Sequence, residues 1–419
     1  MTVLAIAIFV IALAALALDW AHRTKIALAG AGAMVVFGVL DQEQAIEAID
    51  WPTLGLLTGM MVIVALTEPT GIFTYVALKS TQVSRGNPIA LVLLLSLMTG
   101  VLSAFLDNLT SILLVVPVTL LIADILRIPP IPLVLVQVLA SNIGGTATLI
   151  GDPPNILIGS HRPELSFMDF IVNLAPVAIV SLAVASTILA LVYRSRLRPA
   201  PERAREVESL DPARDLRKAT KVKRTLAVLL GTIVAFFLHA PLHLEPAVVA
   251  LLGATVMLFV AADDVEDALE RVEWSTLFFF LGLFVMVGGL VEQGVVDDVA
   301  QWLTELTGDS SVAQGMVILW GAAAGSAVVD NIPFTTAMLP VVDSIQGDEF
   351  DDGLWWALAL GACFGGNATM IAAAANVAAT GILERTGYRV SFVQFLVVGL
   401  PITILSLLIA TAYLLLFQL

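Results

Sequence analysis

The sequence predicts an all-α polytopic membrane protein made of two inverted-topology repeats, each with about five crossings, one re-entrant hairpin and one broken helix. Three observations lead there. Apolar stretches of span length, roughly 17–25 residues, recur along all 419 residues. Four segments of the first half return in order in the second at nearly constant separation. Both halves also place an Asp-Asn pair and a glycine-rich polar string inside apolar sequence.

The totals agree. Apolar residues make up 59% and charged residues 13%, about half the charged share of a soluble domain, and the mean hydropathy is +0.97. The net charge is −15, and 11 of the 20 basic residues lie between Arg194 and Arg224. Such a chain offers no continuous basic groove for nucleic acid. The single Cys363 excludes an internal disulfide framework and a thiolate metal cluster. The run Val3–Leu18 has no positive charge before it, and Asp19-Trp20 is no small-residue cleavage site, so it is expected to stay as a span.

In order, apolar runs fall at about 2–18, 24–40, 53–78, 88–106, 110–126, 132–160 and 168–193. After a polar linker over 194–223 they resume at about 224–239, 245–261, 275–292, 312–329, 332–346, 354–382 and 392–417. Repeat one is thus 1–193 and repeat two 224–419. "EAIDWPTLGLL" parallels "ERVEWSTLFFF", with Trp51 opposite Trp274 (274 − 51 = 223). "FLDNLTSILLVVPV" parallels "VVDNIPFTTAMLPV" at the same separation (330 − 107 = 223). "NIGGTATLIGDPPN" parallels "CFGGNATMIAAAAN" (365 − 144 = 221), and "SFMDFIV" parallels "SFVQFLV" at 225. Four matches in order mean an internal repeat.

Basic residues favour the cytoplasmic side, so the linker is placed there, in a plasma (inner) membrane. If 88–126 enters and leaves on one side, each half crosses five times, the second half is inverted and both termini lie outside. Arg23, Lys25, Lys79, Arg85, Arg127, Arg385 and Arg389 then fall inside, and the loops "DQEQAIEAID", "DDVAQWLTELTGDSS" and "GDEFDD" fall outside. Arg162 and the acidic "DDVEDALERVE" fit this arrangement less well.

Each hairpin has its polar pair at the tip: Asp107-Asn108 between two apolar legs, and Asp330-Asn331 in the copy. A plain surface turn would put these residues in water, but it gives no reason for the same pair at the same register in both halves. Non-helical backbone at membrane depth is tolerated only inside protein or beside a watery cavity. There Asp supplies a titratable carboxyl and Asn both a donor and an acceptor, with Thr110, Ser111, Thr335 and Thr336 adding hydroxyls. Such a tip suits H⁺ or Na⁺, and desolvation favours the neutral carboxyl, bringing protonation within reach.

"SNIGGTATLIGDPPNILIGS" cannot be one helix. Gly144-Gly145 weaken it, while Pro153-Pro154 remove two amide donors and bar Asp152 from helical angles. Asn142, Thr146, Thr148, Asp152 and Asn155 surround the break. The copy keeps Asn367, Thr369 and Asn376 but has alanines for Gly-Asp-Pro-Pro, which predicts a milder second break and an extra acid in the first half alone. Close helix packing accounts for the glycines and alanines, though not for the polar residues. Two tips and two broken crossings make four elements able to converge on a central site.

At "AFLDNLT" and "NIGGTATLIGDPPN" the chain resembles the ion transporter superfamily, in the branch of ArsB-type arsenite permeases, NhaD-type sodium/proton antiporters and the pink-eyed dilution P protein. The likeness runs from about Ile26 to Phe417. It implies paired hairpins, unwound crossings, and a homodimer whose transport domains move like elevators. By that likeness 88–160 and 312–382 form the transport domain and the other helices the scaffold. The more distant divalent anion/sodium symporters carry Ser-Asn-Thr at their tips, where this chain has Asp; two carboxylates would repel a dicarboxylate unless H⁺ or Na⁺ neutralised them.

The expected function is therefore H⁺- or Na⁺-coupled antiport or efflux of a small inorganic species, arsenite- or antimonite-like or Na⁺ itself. A Na⁺-coupled organic anion symporter and an ion channel are the alternatives. Enzyme chemistry is not expected, since no mid-span histidine accompanies a nucleophile, and no cofactor is expected beyond the coupling ion. No GxxxxGK[ST] motif appears, so energy comes from a gradient or from a separate ATPase subunit, which nothing indicates. Glu68 and Glu292 read as interfacial caps. His22, His161, His239 and His243 read as surface residues, Trp355-Trp356 as an interfacial belt, and "FFFLGLF" as lipid-facing or packing material.

Overall fold

Prolines and short polar residues mark where apolar runs become helices. Asn87 accepts from the amides of Ile89 and Ala90 ahead of Pro88, and Ser166 and Ser391 close capping boxes with Asp169 and Gln394. The computed structural model describes residues 1–18, 20–200, 202–203, 211–216, 219–308, 310–346 and 352–419, without the side chains of 214, 215 and 219. Most of "GDEFDD", and much of the linker whose charge oriented the topology, lie outside the described residues.

The first half comprises α1 (Thr2–Ala17), α2 (Arg23–Val36), α3 (Gln42–Glu47), α4 (Trp51–Thr67), α5 (Ile72–Ser84), α6 (Pro88–Leu106), α7 (Asn108–Leu126), α8 (Pro130–Gly145), α9 (Pro153–His161) and α10 (Phe167–Tyr193). The second comprises α11 (Ala219–Leu238), α12 (Pro246–Ala261), α13 (Val265–Glu270), α14 (Trp274–Glu292), α15 (Val295–Thr307), α16 (Ser311–Val329), α17 (Asn331–Gln346), α18 (Asp352–Gly365), α19 (Ala374–Arg385) and α20 (Phe392–Phe417). No strand occurs among the described residues. By length and composition seven helices can cross a membrane: α4 with its 3-10 extension to Thr70, α6, α7, α10, α14, α16 and α20. The chain is a multi-pass membrane protein.

Helices of the two halves pair crosswise. Helix α2 packs along α14 and α4 along α12; nearer the centre α7 packs on α19 and α17 on α9. Within each half, α6 lies on α8 and α10, as α16 lies on α18 and α20. Glycine permits the crosswise approaches. A Cβ on Gly59 would come within 2.6 Å of the Ala250 carbonyl carbon, and one on Gly282 within 2.6 Å of that of Ala27. Both members of the second contact are displaced from the first by the repeat offset (282 − 59 = 223; 250 − 27 = 223).

Several expectations are corrected. The acidic segments read as loops contain α3, α13 and most of the longer α15: Asp41 and Asp264 cap the first two, and α15 starts after Gly294 with Asp297 and Asp298 favouring its first turn. The run 53–78 divides at Gly71, whose φ of +79° ends one helix and starts the next. Trp355 and Trp356 are no interfacial belt; both are fully buried, one ring beneath the Arg162 guanidinium and the other edge-on to Phe170. His239 is buried too, accepting from the Phe167 amide through Nε2. Phe279, Phe280 and Phe284 are packing material, and Phe278 is exposed.

The second break is not the milder one. Ala373 is as extended (φ −151°, ψ 147°) as Asp152 (φ −145°, ψ 138°). An asparagine holds each gap open: the Asn155 amide donates to the carbonyls of Thr146 and Thr148, and the Asn376 amide to those of Gly366 and Thr369. Carbonyl capture, available to both halves, decides this geometry, and the prolines of the first half are not required for it.

The close approaches are testable. Gly59→Ala and Gly282→Ala each force backbone apart, at a cost of about 1–3 kcal/mol, whereas Gly32 has open space around it. In detergent, both variants are expected to unfold at lower temperature than the parent and Gly32→Ala at the parental temperature. Equal stability of all three would refute the crosswise packing.

Candidate functional site

The site is assembled from two tips and two breaks. Asp107 and Asp330 sit between the legs of their hairpins with backbone angles of φ 75°, ψ 156° and φ 113°, ψ 145°. That region is nearly reserved for glycine, and holding another residue there costs about 1–3 kcal/mol. Local bonds hold it. The Asp107 carboxylate accepts from the Thr110 amide at 2.9 Å and hydroxyl at 2.6 Å, and Asp330 accepts from the Ile332 amide at 3.0 Å. Both acids thereby cap the second legs of their hairpins.

Beyond the tips lies the buried centre. Asp152 Oδ1 accepts from the side-chain amides of Asn108 and Asn331, one from each hairpin, both at 3.1 Å. Asn108 also donates to Asn142 Oδ1 at 3.1 Å. Asn142 in turn donates across the halves to Asn367 at 2.9 Å and Asn376 at 3.0 Å. Apart from the two hairpin-tip acids, every residue in this chain of contacts is buried. Backbone ties fix it further: Ser141 donates to the Asn108 carbonyl at 2.9 Å, and the Asn331 amide to the Ala372 carbonyl at 3.1 Å. Asp152 Oδ2 is sealed from solvent and takes no amide or hydroxyl donor; the Cys363 thiol, a weak donor, lies beside the carboxyl.

The expected residues thus sort by what they do. Asp107, Asn108, Thr110 and Asn331 line a cleft at the tips, and Asn108, Asn142, Asp152, Asn331, Asn367 and Asn376 form the connected core. Thr146, Thr148 and Thr369 spend their hydroxyls on backbone and Asn155 its side-chain N–H groups, shaping the breaks. Ser111 is buried without a partner for its hydroxyl. Thr335 returns its hydroxyl to the Asn331 carbonyl within α17 and does not line the cleft, since the helix turn below the tip points it away.

Sequence reasoning missed the opposite wall. Arg23 Nη2 donates to Thr276 Oγ1 at 3.1 Å, Thr276 donates to Glu273 at 3.0 Å, and the guanidinium lies 5.4 Å from the Phe279 ring centre. Arg23, Glu273 and Thr276 line the cleft with the tips. A signal existed: acid stands before tryptophan in both copies, Asp50-Trp51 and Glu273-Trp274. Cys363 was also missed as a neighbour of the core; it occupies the place of Asn142 in the copy (363 − 142 = 221) and donates to Asn155 at 3.6 Å.

The cleft has room for water-sized molecules over about 30 Å³, enough for a water or two. The carboxylates of Asp107 and Glu273 line the cleft with the Arg23 guanidinium, while that of Asp152 is sealed behind the tip asparagines Asn108 and Asn331. A sealed carboxyl with one oxygen doubly held and the other free of amide donors suits a single proton or small cation, because a buried uncompensated charge is costly. Among the described residues no group of three or more His, Cys, Asp or Glu gathers to hold a metal ion; a bound Na⁺ here would draw on carbonyl and hydroxyl oxygens as well.

Comparison with known proteins bears on this arrangement. The family described as citrate transporter matches residues 12–361. An uncharacterized transporter of Mycobacterium tuberculosis is 41% identical over 422 residues, covering 99% of this chain and 98% of that protein. The P protein of Mus musculus is 34% identical over 480 residues, covering 94% of this chain and 58% of the P protein. The crystal structure of the YdaH transporter of Alcanivorax borkumensis aligns with a TM-score of 0.58 at 17% identity, covering 90% of this chain and 89% of that one. At that identity the likeness speaks for the fold alone.

The core makes a stability prediction. Asp152→Asn keeps an oxygen for the two hairpin amides, whereas Asp152→Leu strands both donors, at about 1–3 kcal/mol each. Thermal unfolding in detergent should leave the Asn variant near the parent and lower the Leu variant markedly. A Leu variant as stable as the parent would mean that Asp152 does not join the hairpins.

Proposed function

On the premise that the chain belongs to the citrate transporter family and is a membrane transporter, we propose that it is an ion-coupled secondary active transporter whose coupling ion, H⁺ or Na⁺, binds among Asp107, Asp152 and Asp330. The observation that carries this reading is the sealed Asp152 carboxyl, tied to both hairpins through one oxygen and with only the weakly donating Cys363 thiol beside it. Loading or unloading an ion there changes the charge at the residue to which both hairpin tips are tied, which is what coupling requires.

The cargo in the first reading is a small inorganic species, exchanged or exported: arsenite- or antimonite-like, carried as a neutral hydroxide, or Na⁺ itself in exchange for H⁺. The small cleft and the preponderance of carboxylates support it. A second reading, symport of a carboxylate-bearing organic anion, is favoured by Arg23 in the cleft wall and by the family's description. In that case the coupling ions neutralise the tip acids, and Arg23 faces the anion.

Helix pairing supports a division into two bodies. Helices α2, α4, α12 and α14 pair among themselves as a scaffold; the hairpins and broken helices (88–160 and 312–382) pair among themselves, with α10 and α20 packed against them. In this reading the hairpins are re-entrant, the halves inverted and the second body moves like an elevator within each protomer of a homodimer. The linker 194–223 is cytoplasmic and both termini lie outside the plasma membrane.

The test is flux into liposomes holding the purified full-length protein, comparing Na⁺/H⁺ exchange with uptake of arsenite and of labelled carboxylates under imposed gradients. Saturable, gradient-driven flux is expected; ohmic single-channel currents would replace this reading with a channel. Asparagine is as good a helix cap as aspartate, so Asp107→Asn and Asp330→Asn remove charge while keeping the cap. Each is expected to abolish coupling to the gradient and flatten the pH dependence, and intact coupling in both would overturn the ion site. Arg23→Gln separates the cargoes: it should abolish carboxylate uptake if the second reading holds and spare inorganic exchange if the first does.

A further inference from the structure

An apolar groove of about 440 Å³ runs between α6 and α10, floored by the end of α8 and the backbone just beyond it. Leu97 and Val101 form one wall and Ile179 the other, and these are 56%, 51% and 64% exposed. Gly144 and Thr148 form the floor; the Thr148 hydroxyl is already spent on the Ala104 carbonyl. The groove therefore presents hydrocarbon to whatever lies beside it, on helices long and apolar enough to cross a bilayer.

The second half shows what this place accommodates. The repeat offsets put Trp320 at the position of Leu97 (320 − 97 = 223) and Thr411 at that of Ser186 (411 − 186 = 225). The Trp320 indole reaches from α16 to α20 and donates to Thr411 Oγ1 at 3.2 Å. The protein thus spans the gap between those two helices with a flat, largely apolar side chain of its own. In the first half the shorter Leu97 and Ser186 line the open groove instead. Nothing along its walls asks for a charged or strongly polar occupant.

We propose that the groove between α6 and α10 is a binding site for one acyl chain of a membrane phospholipid, taking the place that Trp320 fills in the second half. The chain lies against the back of the broken segment that carries Asn142 and Asp152, so the occupant becomes part of the packing behind the central site.

The full-length protein is reconstituted in phosphatidylcholine vesicles doped with a phosphatidylcholine bearing a diazirine in its acyl chain, irradiated, digested and mapped by mass spectrometry. Adducts are expected to concentrate on the first-half groove, including its floor around 147–148, well above those on the matching faces of α16 and α20. Leu97→Trp should reduce groove adducts to background, and Trp320→Leu should raise adducts on α16 and α20. The proposal is overturned if the two halves label equally in the parent or if neither substitution moves the pattern. It is also overturned if the groove stays unlabelled while the surrounding surface labels, which would mean an occupant other than a lipid chain. Should Leu97→Trp fail to elute as a monodisperse species, Trp320→Leu decides by itself, because it reads the appearance of a site.

Discussion

One carboxyl oxygen holds the centre of this molecule together. Asp152 Oδ1 accepts an amide from Asn108 on the first hairpin and another from Asn331 on the second, so the two tips meet at a residue that belongs to a broken helix. Hydrogen bonds to a carboxyl group buried away from water are worth more than at a surface, and losing one is correspondingly costly. The strained backbone at Asp107 and Asp330 persists because bonds on both sides over-determine it. The asparagine chain through Asn142 then carries the same geometry to the opposite break.

Around this point the two halves are nearly, but not wholly, equivalent. Asn155 and Asn376 perform the same capture of carbonyls, and Gly59 and Gly282 allow the same close approach. Departures fall where chemistry is concentrated. Asp152 is matched by Ala373 and Asn142 by Cys363 (373 − 152 = 363 − 142 = 221), and Arg23 is matched by Pro246 (246 − 23 = 223). A symmetric scaffold therefore surrounds an asymmetric charge distribution, with a single guanidinium on one wall. The asymmetry gives the cleft a charged wall on the side of Arg23 and Glu273.

Much of this could be read before any coordinates. Four matched segments were enough to recognise the repeat, and the Gly-Asp-Pro-Pro-Asn string to recognise the kinship that the P protein and the citrate transporter family bear out. The errors are instructive in kind. Trp355 and Trp356 suit a membrane interface by composition, yet Arg162 and Phe170 enclose them. Alanines suggested a gentle second break, because proline is the visible helix breaker; the deciding group was an asparagine shared by both copies. Arg23 was counted as a topology signal because its contact with Thr276 joins residues 253 positions apart.

The sequence by itself determined the membrane character, the internal repeat, the places where helices must stop, and the polar residues gathered at those stops. These follow from local rules: hydropathy over a span, the angles that proline and glycine allow, and the cost of a carboxyl in apolar surroundings. Only the tertiary structure decided which polar groups face the cleft and which are spent on backbone, and it alone brought Arg23 and Glu273 to the tips. Such contacts join distant segments through side-chain direction and helix crossing, and neither is encoded in any short stretch of chain.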